Sequence, residues 1–330
     1  METPYDDLPE AAQVEALRPA ALAAATAFGL EVERLEVVLH GYNTTFAVDG
    51  ADGVRRALRL GTNSQSTRAH AIAQQAWQRA IAAETEVRVP VPLATPGGEW
   101  CVEVDTAALG RPLLVTVSSW LDGPDAERLD PDAARALGRA MAILHEHAAT
   151  WPLPEGGGLP RFVEPLFGDR DVLAEAPLDA AGRAVLAEAR ERTGAAFARL
   201  HDGAALRPLH ADLHGGNLKW HEGRLAIFDF DDAGLGIPAL DLAIASFYVR
   251  SAEGAPLEAA LLAGYAEVAP LPDIASADHE ALVAARQILL LNAILVSSTA
   301  ELRGRAAEYA PLAVRRLDGW LRSGTFARDA

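Results

Sequence analysis

Residues 210–231, HADLHGGNLKWHEGRLAIFDFD, contain the side chains of this chain that are best suited to chemistry. Four residues separate Asp212 from Asn217, and Asp229 follows two short apolar stretches. Transfer of a phosphoryl group to an alcohol requires a carboxylate that orients the hydroxyl and accepts its proton. It also requires an amide oxygen and a second carboxylate that hold magnesium ions against the phosphates. Asp212 is the candidate for the first role, and Asn217 and Asp229 are the candidate metal ligands.

Local folding signals support this interpretation. Residues 218–220 and 225–228 predict two short strands, because each is apolar and a turn-forming Glu-Gly pair at residues 222–223 lies between them. Such a hairpin would bring Asn217, just before the first strand, close to Asp229 at the end of the second. The sequence therefore predicts that the two candidate metal ligands lie side by side.

The acidic run Asp229–Asp232 also favours a metal site. Asp229, Asp231 and Asp232 fall within four residues, and carboxylates this close repel one another unless a cation lies among them. Asp231 is therefore a third candidate metal ligand.

Two other interpretations of the segment stay open from the residues alone. The alternation of His210, Asp212 and His214 would also suit a metal hydrolase, because such side chains can bind zinc. The segment could instead be a buried polar turn that satisfies its own hydrogen bonds. The first alternative leaves Asn217 and the acidic run unexplained.

Three stretches, HADLHGGNLKW, IFDFDDAGLG and PALDLA, resemble the aminoglycoside/choline kinase superfamily of phosphotransferases. The pattern of that superfamily is H-x-D-x-H-x-x-N, followed by I-D-F-D and D-L-A. The chain is most similar to the branch that holds stress-response kinase A and type II homoserine kinase. The resemblance implies that His210 and Asp241 support the catalytic loop structurally. It also implies that Asp231 helps to hold the metal or to orient the acceptor, and that His214 and Asp232 contact the acceptor substrate.

The rest of the chain fits the two-lobed architecture that this resemblance implies. A helix is predicted over residues 9–28, interrupted near Pro19, and a second over residues 67–84. Five strands of an antiparallel sheet are predicted at residues 37–39, 45–48, 57–60, 100–104 and 113–117. Asp130 and Pro131 predict a helix start, and the later sequence is helical apart from the hairpin. We expect an α+β, protein-kinase-like fold with an amino-terminal lobe at residues 1–117, a hinge at 118–123 and a helical carboxy-terminal lobe at 124–330.

The nucleotide-binding residues are less clearly marked. The loop that holds Gly41 and Asn43 lies between the first two predicted strands, where it would cover the phosphates of ATP, although a G-x-G-x-x-G pattern is absent from it. Arg59 occupies the position where related kinases carry a lysine, and a guanidinium can pair with phosphate oxygens.

Two further predictions concern the surroundings of the nucleotide. Gln74 stands where the superfamily places a glutamate that pairs with the cation on the third strand, so we expect Gln74 to accept a hydrogen bond from Arg59. Ser119 and Leu121 of the hinge are expected to contact the adenine. A proline- and glycine-rich stretch, residues 151–167, predicts a surface loop that could close over the acceptor.

Composition limits the partners and the compartment. The formal charge of −17 over 330 residues disfavours nucleic acid, because phosphate backbones attract lysine and arginine. Cys101 is the single cysteine, which predicts a reducing, cytoplasmic compartment. Residues 288–297 are apolar but short and interrupted by Asn292, so they predict a buried helix and not a membrane span. A monomer or weak homodimer is expected.

From the residues and the resemblance together we expect an ATP-dependent, Mg²⁺-requiring phosphotransferase. The γ-phosphoryl group would pass to the hydroxyl of a small molecule of aminoglycoside, homoserine or amino-alcohol type. Two alternatives remain at this stage, a protein Ser/Thr kinase of the stress-response type and a catalytically weak, nucleotide-binding regulator.

Overall fold

Five amphipathic segments near the amino terminus pair as one antiparallel sheet. The structure of the protein is a computed structural model that describes residues 4–41, 43–62, 66–250, 255–297 and 300–329. The strands are β1 (Val32–His40), β2 (Thr44–Gly50), β3 (Arg55–Leu60), β4 (Val102–Thr106) and β5 (Arg111–Ser119). Their order across the sheet is β1-β2-β3-β5-β4. Leu113, Val115 and Val117 alternate along β5 and are fully buried, as expected for a strand with one face in the core. The predicted five-stranded antiparallel sheet is confirmed.

Helix α1 (Glu10–Ala27) packs its alanine-rich face against this sheet. The helix runs without a break through Pro19, so the predicted interruption is wrong. Pro19 removes one backbone hydrogen bond, whose acceptor would be the carbonyl of Glu15. Both residues are exposed, so water can satisfy that carbonyl, and the packing of the opposite face keeps the helix intact.

Helix α2 (Arg68–Glu84) follows β3 and begins at Thr67, whose side chain accepts a hydrogen bond from the backbone N–H of His70 (3.2 Å). The connection after β5 passes close to a later hairpin at Gly123. A Cβ at this position would lie 1.9 Å from the carbonyl oxygen of Trp220. The backbone φ of Gly123 is 109°, so both the space and the conformation require glycine there.

The remainder of the chain is mainly helical. The helices are α3 (Pro131–Ala148), α4 (Ala180–His201), α5 (Pro238–Val249), α6 (Ala255–Ala266), α7 (Ser276–Val296), α8 (Ala300–Gly304) and α9 (Ala306–Ser323). The short strands are β6 (Arg207–Leu209), β7 (Leu218–His221), β8 (Arg224–Ile227) and β9 (Gly234–Gly236). Strand β6 pairs with β9, and β7 pairs with β8. Helix α3 begins as predicted, because Asp130 accepts a hydrogen bond from the N–H of Ala133 (2.8 Å). The α+β fold class is confirmed, whereas the boundaries at residues 117 and 123 stay predictions.

Helix α7 is the central helix of the second part. It is long and apolar enough to cross a membrane by length and composition, but 67% of its apolar window is buried inside the protein. The helix contacts α4, α5 and α9, which agrees with the predicted buried helix. Its burial matters for the site, because one of its side chains reaches the candidate catalytic loop.

Candidate active site

The hairpin of β7 and β8 brings the two predicted metal ligands together. Leu218 pairs with Ile227, and the N–H of Phe228 donates a hydrogen bond to the carbonyl of Asn217 (3.0 Å). Asn217 is therefore joined to the residue that precedes Asp229. The predicted hairpin and the proximity that follows from it are confirmed.

The loop after β6 holds Asp212 in a fixed backbone conformation. Asp241 of α5 is fully buried, and its carboxylate accepts hydrogen bonds from the N–H groups of Ala211 (2.7 Å) and His210 (3.2 Å). These bonds support the left-handed conformation of Ala211, whose φ is 64°. Such a backbone is strained for a residue with a Cβ and is often found at functional sites.

His210 connects the same loop to the hairpin. Burial lowers the pKa of His210, so the ring is neutral. Its Nε2–H donates to the carbonyl of Phe228 (3.0 Å), while Nδ1 accepts from the N–H of Asp212 (3.3 Å). These contacts agree with the supporting roles that the resemblance implied for His210 and Asp241. Asp241 is held in turn by His145 of α3 (3.0 Å).

Four side chains hold the carboxylate of Asp212. Oδ2 accepts a hydrogen bond from Nδ2 of Asn217 (3.0 Å) and lies 3.3 Å from Nε2 of His214. Nδ1 of His214 accepts from the N–H of Gly216 (3.0 Å), so Nε2 carries the proton that faces Asp212. Oδ1 forms an ion pair with Arg286 of α7 and lies 3.5 Å from the hydroxyl of Tyr248.

These contacts keep Asp212 ionised. Burial alone would raise the pKa of its carboxyl, but Arg286 and then His214 outweigh burial and hold the pKa well below its usual range. Tyr248 is hydrogen-bonded to Arg286 (2.8 Å), and its own pKa is raised to about 12, first by burial. Tyr248 is therefore a neutral hydroxyl beside a fixed carboxylate. Asp212, Tyr248 and Arg286 line one cavity, which we name the Asp212 cavity.

Arg59 of β3 reaches the acidic run from the sheet. Nη1 lies 2.7 Å from Oδ1 of Asp229, and Nη2 lies 2.6 Å from Oδ2 of Asp231. Asp231 also accepts a hydrogen bond from Nδ2 of Asn43 (2.5 Å), so the side chain of Asn43 contacts the site through Asp231. Gly41 lies in the same loop, and Tyr42 lies outside the described residues.

The pKa values of Asp231 and Asp232, the two carboxyls that follow Asp229, are both raised, but to different extents. Burial raises the pKa of Asp231 to about 6, although Arg59 lowers it and Asp229 raises it further. Removal from bulk water, and then the charge of Asp212, raise the pKa of Asp232 to about 8. A positive charge placed nearby would favour the ionised form of both carboxyls.

Gln74 does not perform the role predicted for it. Among the hydrogen bonds of the described residues, none joins Gln74 to Arg59. The amide Nε2 of Gln74 instead donates to the carbonyl of Asp231 (2.8 Å). The prediction is wrong because the two carboxylates of Asp229 and Asp231 already occupy both terminal nitrogens of Arg59.

A second cavity lies beside the connection after β5 and has a volume of about 170 Å³. We name it the hinge cavity. Both predicted hinge residues, Ser119 and Leu121, line it together with the following residues: Val38, Leu39, Ala57, Pro90 and Phe228. Val38 and Leu39 are exposed (51% and 58%), and large exposed apolar side chains beside a cavity are typical of a ligand site. A planar, mostly apolar ring would cover them.

Comparisons with known proteins agree with this geometry. Residues 34–278 match the family described as the phosphotransferase enzyme family, APH. The chain belongs to this family. It is 32% identical over 309 residues to an uncharacterized protein of Deinococcus radiodurans, with 89% of this chain and 84% of that protein covered.

Solved structures show the same fold. A microcompartment-associated aminopropanol kinase has a TM-score of 0.78 at 24% identity, with 94% of this chain and 99% of that chain covered. The amicoumacin kinase hAmiN, in complex with AMP-PNP, Ca²⁺ and Ami, has a TM-score of 0.72 at 18% identity, with 92% and 96% covered. An aminoglycoside phosphotransferase, APH(4)-Ia, has a TM-score of 0.61 at 16% identity, with 94% and 99% covered. The predicted protein-kinase-like fold is confirmed, and the protein is a phosphotransferase that acts on a hydroxyl group.

The donor atoms of this phosphotransferase fit a hard cation such as Mg²⁺. Asn217 uses its amide nitrogen on Asp212, which leaves its oxygen as the available donor. Asp229 supplies carboxylate oxygens, and carboxylate and amide oxygens are the ligands that Mg²⁺ prefers. Oδ2 of Asp231 is already engaged by Arg59 and Asn43, so its role as a metal ligand stays a prediction. The metal-hydrolase alternative gains no support, because no group of three or more His, Cys, Asp or Glu residues in the described part of the chain is arranged to hold a metal.

Arg286 and Tyr248 are the site residues that the sequence did not reveal. They lie 74 and 36 positions from Asp212 along the chain. One signal was present, since Arg286 interrupts an apolar stretch, ALVAARQILLL. An arginine in a buried helix requires a partner.

Proposed function

We propose that this phosphotransferase transfers the γ-phosphoryl group of ATP, as a magnesium complex, to the hydroxyl of a small-molecule alcohol. The observation that carries the proposal is the arrangement of Asp212, Asn217 and Asp229 around one hairpin, with Arg59 bonded to the same segment. This set supplies every role that phosphoryl transfer asks of a protein. The hydroxyl-orienting carboxylate, the cation ligands and the phosphate-pairing guanidinium are all present.

Each residue has a defined task in this proposal. Asp212 orients the acceptor hydroxyl and accepts its proton as the oxygen–phosphorus bond forms. Asn217 and Asp229 would hold Mg²⁺, which when bound offsets the charge of the phosphates. Arg59 would pair with phosphate oxygens, and the loop of Gly41 and Asn43 would lie over them. Fixed charges of this kind lower the barrier because they need no reorganisation during the reaction.

The adenine of the nucleotide is proposed to bind at the hinge cavity, with the phosphates extending from it to Arg59. The ring would lie between the side chains of Val38 and Leu39 on one side and Phe228 on the other, with Ser119 and Leu121 at its edge. The bound AMP-PNP of the amicoumacin kinase supports nucleotide use by this fold. The acceptor is proposed to occupy the Asp212 cavity, where His214 and Asp232 would contact it.

For the acceptor we propose an amino alcohol or a related amine-bearing alcohol, because structural relatives include an aminopropanol kinase and an aminoglycoside phosphotransferase. The regulator alternative was based on the phosphate loop, which has no G-x-G-x-x-G pattern, and on Gln74, which lacks the charge to hold Arg59. Arg59 is paired with Asp229 and Asp231 instead, so the argument from Gln74 no longer supports that alternative. A cytoplasmic location, the absence of nucleic-acid and membrane partners, and a monomeric or weakly dimeric state are proposed with this function.

The test is ADP formation from Mg-ATP across a panel of aminoglycosides, homoserine, amino alcohols and a serine-containing protein. Asp212→Asn is the matched control. We expect ADP formation that depends on one class of small alcohol and is lost in the variant. ADP formation with the protein substrate alone would favour the Ser/Thr kinase alternative, and none with any acceptor would contradict the proposal.

A further inference from the structure

The Asp212 cavity is larger than a compact amino alcohol needs. Its volume is about 670 Å³, within the range of about 300–1,000 Å³ for sites that bind drug-sized molecules. At the roughly 30 Å³ that a water-sized group occupies in a liquid, a molecule of five such groups needs only about 150 Å³. The cavity therefore has room for a body attached to the reacting alcohol.

One wall of the cavity is an aromatic pair in the loop before α4. The rings of Phe162 and Phe167 stack with their centroids 4.2 Å apart and an interplanar angle of 23°. Phe167 has a φ of 58°, a conformation that is strained for a bulky side chain. Strain of this kind is held only where the surrounding structure imposes it, and it clusters at ligand sites.

The pair is anchored to the segment that carries the acidic run. The N–H of Phe162 donates to the carbonyl of Leu235 (2.8 Å), and the N–H of Leu235 donates to the carbonyl of Pro160 (2.7 Å). A Cβ at Gly234 would lie 2.1 Å from the ring of Phe162, so the ring occupies the space that this glycine leaves. The predicted surface loop is therefore fixed at Phe162, and Phe167 lines the cavity.

A second wall of the cavity is formed by α7; it begins at Arg286, beside Asp212, and continues as apolar side chains. Arg286, Leu289, Leu290 and Ala293 of α7 all line the cavity, and their spacing places them on one face of the helix. Since Arg286 bonds Asp212, the apolar surface starts one turn away from the reacting position. An acceptor with its hydroxyl at Asp212 would lay its body along these side chains.

Asp169, Asp212, Asp231 and Asp232 are the carboxyls that line the cavity. Asp212 and Asp231 have cationic partners, whereas no hydrogen bond or ion pair joins the side chain of Asp169 or Asp232 to another described residue. Of these two, Asp232 lies in the acidic run, close enough to Asp212 to be affected by its charge. An ammonium group of a ligand beside Asp232 would favour the ionised form of this carboxyl and pair with it. The aromatic ring of Phe167, which lines the same cavity, can also attract a cation.

Resting on the proposed function, we propose that the acceptor is an amphipathic amine: an alcohol whose ammonium group binds Asp232 and whose apolar, ring-bearing body packs between Phe167 and the α7 face of Leu289, Leu290 and Ala293. A densely hydroxylated amine would leave its hydroxyls unpaired against these walls. A compact amino alcohol would leave the walls uncovered.

The experiment measures binding by isothermal titration calorimetry in the presence of magnesium and AMP-PNP. The probes are phenylethanolamine, ethanolamine (which lacks the ring) and phenylethanol (which lacks the amine). We expect phenylethanolamine to bind about tenfold or more tightly than either, because ring burial and the ammonium contact each add to affinity. An aminoglycoside, kanamycin, is the polar comparison and should bind less tightly than phenylethanolamine.

Phe167→Gly is the variant of choice because it removes the ring and also relieves the strained backbone. It should still fold, with a Tm lowered less than the loss of a stacked ring alone would cause because the backbone strain is relieved, while its affinity for phenylethanolamine falls to that for ethanolamine. Asp232→Asn should remove the advantage of phenylethanolamine over phenylethanol.

Three results would each overturn this inference. The three probes could bind equally or undetectably, kanamycin could bind more tightly than phenylethanolamine, or Phe167→Gly could bind phenylethanolamine with unchanged affinity. The same wild-type protein is assayed for ADP formation with the alcohol panel. ADP formation without the expected ranking contradicts the inference alone, whereas no ADP formation with any alcohol contradicts the proposed function.

Discussion

Arg286 of α7 forms an ion pair with Oδ1 of Asp212, and the hydroxyl of Tyr248 bonds the same guanidinium. The other oxygen of Asp212 is held by Asn217. The carboxylate is therefore fixed from two sides, by the long central helix and by its own loop. Phosphoryl transfer depends on the correct placement of the reacting groups, so a fixed Asp212 carboxylate lowers the activation barrier.

Replacing Arg286 tests this fixation. Arg286→Gln should lower kcat on the order of 10²-fold, because a catalytic group displaced by about 1 Å can lose that much. The kcat of Arg286→Lys should lie between those of Arg286→Gln and the wild type, since a point charge cannot bond Asp212 and Tyr248 as a guanidinium does. Turnover with Mg-ATP is measured together with Tm. A wild-type kcat in Arg286→Gln would show that Asp212 needs no such partner.

Asp212 itself should act on the acceptor and not on ATP. Asp212→Asn should keep nucleotide affinity within a few-fold, because Arg59, Asn217 and Asp229 handle the phosphates. Its kcat should fall by roughly 10²–10⁴, the usual loss when a general base is removed. Calorimetry with AMP-PNP and turnover are compared for the same preparation. If nucleotide binding were lost as completely as turnover, Asp212 would be a metal ligand or a structural residue.

Asp229 is predicted to carry the metal. Asp229→Asn should abolish phosphoryl transfer and weaken magnesium-dependent nucleotide binding, because a neutral amide cannot offset the charge of the ion. Asn217→Ala should weaken metal binding less severely. AMP-PNP titrations at several magnesium concentrations measure both effects. Wild-type turnover in Asp229→Asn would contradict the assignment of the whole segment.

The parts of this site that could be predicted from the sequence are those that local spacing controls. Asn217 and Asp229 flank one hairpin, so their proximity follows from a turn and two short strands. The pairing of Arg286 with Asp212 depends instead on how α7 packs in the finished fold, which short-range pattern does not encode. The wrong prediction for Gln74 has the same origin. The partner of Gln74 was predicted from its position along α2, without knowledge of which carboxylates would reach Arg59. Pro19 was misjudged because helix stability there comes from tertiary packing.

The hydrogen bond that Gln74 donates determines the effect of placing a negative charge at this position. In the wild type its amide donates to the carbonyl of Asp231, and a glutamate would place an acceptor against that carbonyl. Gln74→Glu should therefore destabilise the protein by roughly 1–3 kcal/mol, the cost of leaving a buried polar group unpaired. Gln74→Met, which loses the bond without adding charge, should cost less. Urea unfolding measures both, and a more stable Gln74→Glu protein would favour a direct contact with Arg59.

A partly buried ionic cluster away from the site predicts how stability depends on pH. Arg250 lies 2.7 Å from Glu258 and 2.6 Å from Glu280. Burial alone would raise the pKa of Glu258, but hydrogen bonds from His279 and Arg250 outweigh it and lower the pKa from 4.5 to about 2.

Because the pKa of Glu258 is lower in the folded state than in the unfolded chain, folding is favoured by its ionised form. This contribution is fully present above about pH 4.5 and is lost as the pH falls toward 2. Glu258→Gln should therefore lower the urea midpoint at pH 7, and the difference from wild type should shrink at pH 3. Asp318→Asn, which breaks a surface pair with Arg322, should change little at either pH. A constant difference between Glu258→Gln and wild type across this range would show that the ionisation of Glu258 does not contribute to stability.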